Sequence, residues 1–426
     1  MKITEKEKRF NYENLLILGC DVSKDVLNIY AVADIGIKTI SYEEEIPNKK
    51  NKILRILTKY EGIAKQHNKE GLLVVCEPTS KYHKVLMSSA RQKGHKTQLV
   101  AGCHVNKMRT VESNDTGKTD IKDPRIISLL VRLGKTFDDR ELGNDYEELR
   151  MLNGAYEDVS KKIVQVKTQI ESIAIEIFPD WLLDADYRYK TIGRILMEEY
   201  EFNPQKIIEG GKKKLYAVIK SVSPRTQNKT IEKVWESAES SSLYFIREPV
   251  RKFYTRKFRR LLDELDRLEE EKEEYKEEMI QIYRRLPESK KLEDLPVNES
   301  MMSRLIAEIG PLKDFNNHRQ ILKYVGLNLQ ERESGKYRGK TKISKRGRSY
   351  FRKTLWLVVL GLISKKKSFL YDYYNERKER AGSGNNASVI CMRFLVKVIF
   401  GVYKSEEPYD ERRIFMSKQE FKKLAA

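Results

Sequence analysis

Long apolar runs are missing from this chain. No stretch approaches the roughly 20 residues that cross a bilayer, so no membrane-spanning segment is expected. Cysteine is scarce. The four present, Cys20, Cys76, Cys103 and Cys391, lie mostly within apolar stretches and show no C-x-x-C spacing. That argues against a zinc site and a disulfide frame, and for buried thiols in a reducing compartment. The polar start, Met1-Lys2-Ile3-Thr4-Glu5-Lys6, does not read as a signal peptide. Acids are in deficit, 63 against 83 basic residues, a net charge of +20. Such an excess favours a polyanionic partner, most often nucleic acid, and the expectation is a soluble intracellular protein. The 426 residues suffice for two or three domains with real cores.

What is present early in the chain is a pattern of acids. Asp21 ends the apolar run Leu15–Cys20, and Glu77 ends a second, Leu72–Cys76. Short apolar runs bounded by turn residues read as buried strands, which puts each carboxylate at the edge of a core. Asp120 and Asp123 stand three apart in Lys118-Thr119-Asp120-Ile121-Lys122-Asp123, just before an apolar helical segment. Gathered carboxylates repel one another unless a hard divalent cation neutralises them. Two strand-end acids with a D-x-x-D pair form the ligand set of a two-metal phosphoryl-transfer site. Read singly, each acid is equally a solvated surface group. Pro124, favoured at a first helical position, predicts Asp123 as the N-cap of a helix over 124–133.

Strands are also expected over 27–33, 38–44 and 97–100, with helices around 50–67 and from Thr79 or Ser80 to Lys93. Strands in sequence with helices on their faces mean an α/β domain. Beyond Leu149 the period changes. Leu152, Tyr156, Val159, Ile163, Val166, Ile170, Ile173 and Ile177 form an a/d seam. A second runs from Tyr254 through Phe258, Leu261, Leu265 and Leu268 to Leu286, broken at Lys272. These predict two long amphipathic helices, paired within one chain or between protomers, with a mixed segment between them to which no function is assigned. The expected divisions are 1–140 (metal-binding α/β), 141–290 (coiled coil and linker), 291–405 (C-terminal, mainly α) and 406–426 (charged tail).

From Gln330 to Lys353 ten basic residues face two acids, with Gly335, Gly339 and Gly347 and with Tyr337, Tyr350 and Phe351 interleaved. That mixture suits phosphate contacts and close backbone approach to nucleic acid. The candidates are Lys336, Arg338, Lys340, Lys342, Lys345, Arg346, Arg348 and Arg352. Ser334, Ser344, Ser349, Tyr337 and Tyr350 are the hydroxyls here that spacing alone leaves open as nucleophiles.

At these residues the chain resembles the DEDD transposases of bacterial insertion sequences of the insertion-sequence 110 type, bridge-RNA-guided serine recombinases. Gly19-Cys20-Asp21-Val22-Ser23-Lys24 is similar to the family's first catalytic motif. Cys76-Glu77-Pro78-Thr79-Ser80-Lys81-Tyr82 is similar to its E-P-T-G-x-Y motif, with serine for glycine. Lys118–Asp123 matches K-T-D-x-x-D, with Pro124 where alanine is usual. Gly326-Leu327, Ser334-Gly335, Ile343–Gly347 and Arg352 follow the family's order. The resemblance implies a RuvC-like, RNase H-type N-terminal domain whose acids Asp21, Glu77, Asp120 and Asp123 bind Mg²⁺, or Mn²⁺. It implies Ser334 as a nucleophile forming a phosphoserine link to DNA. It also implies double-stranded donor and target DNA and a structured bridge RNA as partners, a homo-oligomer (dimer or tetramer), and a bacterial cytoplasmic, nucleoid-associated setting. One departure stands out: the family's glycine-rich hairpin is replaced by Leu295-Pro296-Val297-Asn298-Glu299. Without the glycines, and with an added acid, phosphate binding there is not expected, though Asn298 can turn the chain. Two other functions fit the same residues. One is a junction-resolving nuclease in which metal-bound water attacks; the other is a non-catalytic nucleic-acid-binding protein.

Overall fold

The computed structural model describes residues 12–35, 38–78, 81–113, 122–244, 246–330, 333–334, 337–338, 342–366, 368–405, 407 and 409–414. The chain forms two compact units, Met1–Glu141 and Leu142–Ala426.

The first unit is a mixed α/β sheet, consistent with the RuvC-like expectation. Its elements are β1 (Leu15–Val22), β2 (Val26–Ile35), β3 (Lys38–Pro47), α1 (Lys50–Gln66), β4 (Gly71–Cys76) and α2 (His83–Gln92). They continue with β5 (Lys96–Val100), α3 (Gly102–Ser113), α4 (Lys122–Arg132) and β6 (Thr136–Asp138). The strands lie in the order β3-β2-β1-β4-β5-β6. The β1–β4 and β4–β5 pairs are parallel and the rest antiparallel. Central strands are apolar on both faces because helices cover both. Leu16, Leu18, Cys20, Leu72, Val74 and Cys76 pack with Ile53, Leu57 and Tyr60 of α1 and Leu86 of α2. Leu15, Ile17, Leu73 and Val75 pack with Val105 of α3 and Ile126, Ile127 and Leu130 of α4.

Two expectations need correcting here. β1 does not stop at Cys20 with Asp21 just past its end but runs to Val22, because Asp21 and Val22 stay paired with Asn28 and Leu27 of β2. Asp123 is not an N-cap. α4 starts at Lys122, so Asp123 lies in its first turn and Pro124 follows it there. The first helical N–H groups have no intrahelical partner in any case, so a proline within the first turn forfeits nothing. Thr79 and Ser80, the expected caps of α2, lie outside the described residues.

The second unit is built on two long helices, α5 (Asn144–Ile177) and, after α6 (Asp186–Tyr189), α7 (Thr191–Tyr200), α8 (Pro204–Gly210), α9 (Lys212–Val222) and α10 (Asn228–Ser242), α11 (Glu248–Arg285). α5 and α11 lie against each other within the one chain. Val159, Ile163, Val166, Ile170, Ile173 and Ile177 are buried against Phe258, Leu261, Leu265 and Leu268. The segment between them is helical and completes this core. Phe178, Trp181, Phe202 and Phe258 form an aromatic cluster with centroids 4.7–5.6 Å apart.

The rest comprises α12 (Pro287–Leu292), α13 (Glu299–Ile309), α14 (His318–Tyr324), the short strands β7 (Leu329–Gln330), β8 (Glu333–Ser334), β9 (Tyr337–Arg338) and β10 (Lys342–Ile343), then α15 (Ser349–Ile363), α16 (Phe369–Ala381) and α17 (Gly384–Lys404). Among the described residues α17 alone is long and apolar enough to cross a membrane, by length and composition. Cys391, Leu395, Val396 and Ile399 of α17 are instead buried in the core with Leu355 and Val359 of α15.

The third and fourth turns of α5 depart from the expected seam. Leu152 and Tyr156 are only partly buried, while Asn153 and Glu157 are fully buried. They face polar partners on α13. Arg304 donates to Glu157 at 2.5 Å, Asn153 donates to Glu308 at 3.0 Å, and Lys353 of α15 reaches Glu157 at 2.6 Å. Arg150 adds bonds to the carbonyls of Ala307 and Glu308. One buried acid thus ties three helices together. Removing one partner of such a pair strands a charge, at a cost of about 3–5 kcal/mol. Glu157→Ala is therefore expected to lower unfolding free energy in denaturant titration by about that amount. Converting both Glu157 and Arg304 to Leu should restore most of it, and Lys353→Ala, at a half-exposed ammonium, should cost under about 1 kcal/mol. A near-neutral Glu157→Ala would refute the anchor.

Candidate functional site

In open α/β sheets, ligands bind beyond the carboxyl ends of parallel strands. That is where the first two acids lie. Cys20 pairs with Cys76 at the end of the β1–β4 ladder, and Asp21 and Glu77 are the next residues, side by side. Side chains alternate along a strand. Leu15, Ile17, Leu73 and Val75 face α3 and α4, so Asp21 and Glu77 fall on that same face.

Glycines bring the helices close. A Cβ at Gly19 would run into the carbonyl of Pro124 and the hydroxyl of Ser128, so only glycine lets the start of α4 lie against β1, with Asp123 beside it. A Cβ at Gly102, the first residue of α3, would overlap the Glu77 carboxylate.

Asp123 is 4% exposed and is held by a two-pronged bond. Arg109 of α3 donates from Nε at 2.7 Å and from Nη2 at 2.5 Å to its two oxygens. The guanidinium is pushed above its ordinary range, first by these bonds, then by the charge of Asp123 and by those of Glu77 and Asp21. Arg109 is thus bonded to one acid and within reach of the charge of two more, and it is the functional candidate that the sequence reading missed. Its helix has only Val105 and Met108 packed against the sheet, too few for a periodic stripe. Asp120 lies outside the described residues.

The donor set suits a hard divalent cation, since all of it is carboxylate oxygen. Asp21 and Glu77 fit in type and position. Asp123 fits in type, but both its oxygens are engaged by Arg109, and among the described residues no group of three or more metal-ligating side chains stands together. The thiols next door, Cys20 and Cys76, lie on the opposite face of the sheet, packed with α1 and α2. Burial, then neighbouring negative charge, pushes Cys20 and Cys76 well above the ordinary thiol range.

In the second unit the basic segment sorts into two kinds of side chain. Lys342, Lys345 and Arg346 are exposed. Arg352 instead donates to the carbonyls of Val325 at 2.7 Å and Gly347 at 3.2 Å, and Arg348 lies 3.7 Å from Glu308. Arg352 is thus a clamp inside the fold, not the open phosphate contact expected of it. Gly326 and Gly347 interlock here: both have positive φ, and a Cβ on either would strike the other strand's backbone. Ser344 donates to Asn328 at 2.5 Å, and Lys161 donates to the hydroxyl of Tyr350 at 2.8 Å. Ser334 pairs with Tyr337 across β8–β9, where Arg338 also lies; Lys336 and Lys340 lie outside the described residues. Asn298 does turn the chain, capping α13 by accepting from the Met301 amide at 2.8 Å, and Glu299 is paired with Arg284 at 2.6 Å.

A family model described as a transposase, of the IS110 DEDD type, matches residues 18–179. A second, described as a transposase of the IS116/IS110/IS902 family, matches residues 291–375. No match was found among curated proteins.

The Arg109–Asp123 pair is largely buried, so Arg109→Ala should destabilise the N-terminal unit by about 3–5 kcal/mol in thermal unfolding. Pairing it with Asp123→Asn should recover part of the loss, and Arg109→Lys, which lacks the planar fork, should fall between. An unchanged melting temperature in Arg109→Ala would show that the bond is not structural.

Proposed function

We propose that this chain, which belongs to the IS110 family of transposases, cuts and rejoins DNA of a mobile element through a covalent phosphoserine. Family membership carries the DNA chemistry and implies a divalent metal. The finer assignments are our reading. Asp21, Glu77, Asp120 and Asp123 would hold the metal, Mg²⁺ or Mn²⁺. When bound, it supplies charge stabilisation at phosphorus and lowers the pKa of a coordinated oxygen. Arg109 already donates one bond to each oxygen of Asp123, so we assign Arg109 the role of holding Asp123 in the metal-free protein.

Ser334 is proposed as the nucleophile. Its Oγ attacks phosphorus, a P–O bond to deoxyribose breaks, the serine proton passes to a base, and the freed sugar oxygen leaves as a hydroxyl. A sugar hydroxyl of the exchanged strand then attacks the phosphoserine and releases Oγ. A serine hydroxyl needs activation and the pentavalent phosphate needs positive charge. Two of the competing hydroxyls have other partners, Ser344 on Asn328 and Tyr350 on Lys161, which narrows the choice to Ser334, Ser349 and Tyr337; the resemblance to the family's serine-glycine motif selects Ser334. Lys342, Lys345 and Arg346, with Lys336, Arg338, Lys340 and Arg348, would contact phosphates. An element-encoded bridge RNA as guide, and assembly as a dimer or tetramer through surfaces other than the α5–α11 seam, which is buried within the one chain, complete the proposal.

Incubated with a donor DNA duplex and Mg²⁺, the wild-type chain should yield a trapped adduct whose nucleotide maps by mass spectrometry to the Ser334 peptide. Ser334→Ala should bind DNA with unchanged affinity and give no adduct. Asp21→Asn and Glu77→Gln should abolish cleavage at an unaltered melting temperature, as should EDTA. Cleavage without any adduct would favour the junction-resolving nuclease, and a nucleotide on Ser344 or Tyr337 would move the nucleophile.

A further inference from the structure

We propose that the N-terminal half of α11 is a second DNA-binding surface, gripping the phosphodiester backbone without reading sequence. The observation is a stripe of cations met by one anion only, Glu248 beside Lys252. Between Pro249 and Leu262 there are six basic residues and no acid. Lys252, Arg256, Lys257, Arg259 and Arg260 are all exposed, as is Phe253. Spacings of three, four and seven put them on one broad face of the helix. The opposite face, Phe258, Leu261 and Leu265, is buried, with Phe258 stacked on Phe202 at 4.7 Å, so the stripe is presented on a fixed support.

Local energetics run against this arrangement. Cations at i,i+4, such as Lys252–Arg256 and Arg256–Arg260, destabilise a helix. Within the described residues, Arg256, Lys257, Arg259 and Arg260 form no ion pair, and Lys252 has only Glu248 at 3.4 Å. Two acids further along the same helix do have partners on other helices: Asp266 is bonded by Arg194 and Glu269 by Lys167. A local rule broken without internal compensation points to an external partner, and the charge complement of a cationic stripe is a polyanion.

Geometry selects DNA among polyanions. The stripe from Lys252 to Arg260 extends about 12 Å at 1.5 Å per residue, a length over which a DNA duplex carries about seven phosphates. A straight helix suits B-form DNA, whose major groove admits one, whereas the A-form major groove is too deep and narrow. The exposed side chains of the stripe are cations apart from Phe253, and most protein–DNA hydrogen bonds from such groups go to phosphate and sugar, so we assign the contact to the backbone. The stripe also lies between the two family-matched segments, 18–179 and 291–375, so it is an addition to the family-matched parts. This inference rests on the family's action on DNA and not on the serine chemistry.

The test is DNA affinity as a function of salt, for a short mixed-sequence duplex and for an RNA hairpin. Changing Lys252, Arg256, Arg259 and Arg260 together to Gln should make the log–log salt slope for DNA shallower by about three to four, equally for unrelated sequences. Arg256→Gln alone should remove about one, and Lys at all three arginine positions should keep the full slope. Circular dichroism checks that the variants fold; should the fourfold variant not fold, the single change decides. If the wild-type chain shows no salt-dependent DNA binding, the proposed function fails. If it binds and the stripe variants keep its slope, this inference fails instead. It is overturned equally by loss of RNA binding alone, or by loss of self-association in sedimentation at unchanged DNA affinity, which would make the occupant a second copy.

Discussion

Carboxylates on neighbouring parallel strands repel, and the first unit depends on the positive charge that stands against them. Asp21 and Glu77 follow the Cys20–Cys76 pair directly, and Asp123 is brought alongside by the contact of α4 with Gly19. Two or three ionised groups near the edge of an apolar core need a counter-charge. In the described structure Arg109 supplies it, with a forked bond to the most buried of the three. The same arrangement explains two glycines: side chains at positions 19 and 102 would push the helices away and separate the charges.

The second unit settles a comparable conflict differently. There the acid, Glu157, is deep within the helical bundle, and its partners Arg304 and Lys353 come from two other helices. A charge so placed is tolerated only with its bonds complete, which makes it a check on the register of α5, α13 and α15. Along α11 the balance is left open. Asp266 and Glu269 of the C-terminal half are bonded from other helices, whereas Arg256, Lys257, Arg259 and Arg260 of the N-terminal half form no ion pair among the described residues. The three cases grade from closed core to open surface, and the unmet charge is the one facing solvent, where a ligand can reach it.

Much of the first unit was legible because its signals are local. Apolar runs such as Leu72–Cys76 mark the strands, and their ends locate Asp21 and Glu77. What escaped were features with a weak local signal. α3 has too few apolar positions to show a period, so Arg109 went unnoticed. β6 is only three residues long. The start of α4 was misplaced by two residues because proline was weighed as a boundary, when within a first turn it is merely tolerated. The seams were legible where partners are apolar, from Val159 to Ile177, and misread at Asn153 and Glu157, whose burial is licensed by residues some 150 positions away. No local pattern carries that information.

Counting charges along 330–353 shows the same limit from the other side. Composition treats ten basic residues as one surface. In the fold, Arg352 is spent on the carbonyls of Val325 and Gly347, Lys353 on Glu157, and Arg348 lies near Glu308. Lys342, Lys345 and Arg346 remain exposed. The paired cations do different work: Arg352 braces the turn where Gly326 and Gly347 interlock, which fixes the base of the segment carrying Ser334. A salt slope measures phosphates neutralised, so it responds to the exposed side chains and not to the braces. A sequence sum of positive charge therefore overstates the electrostatic footprint of this segment, and understates how firmly the fold holds its base.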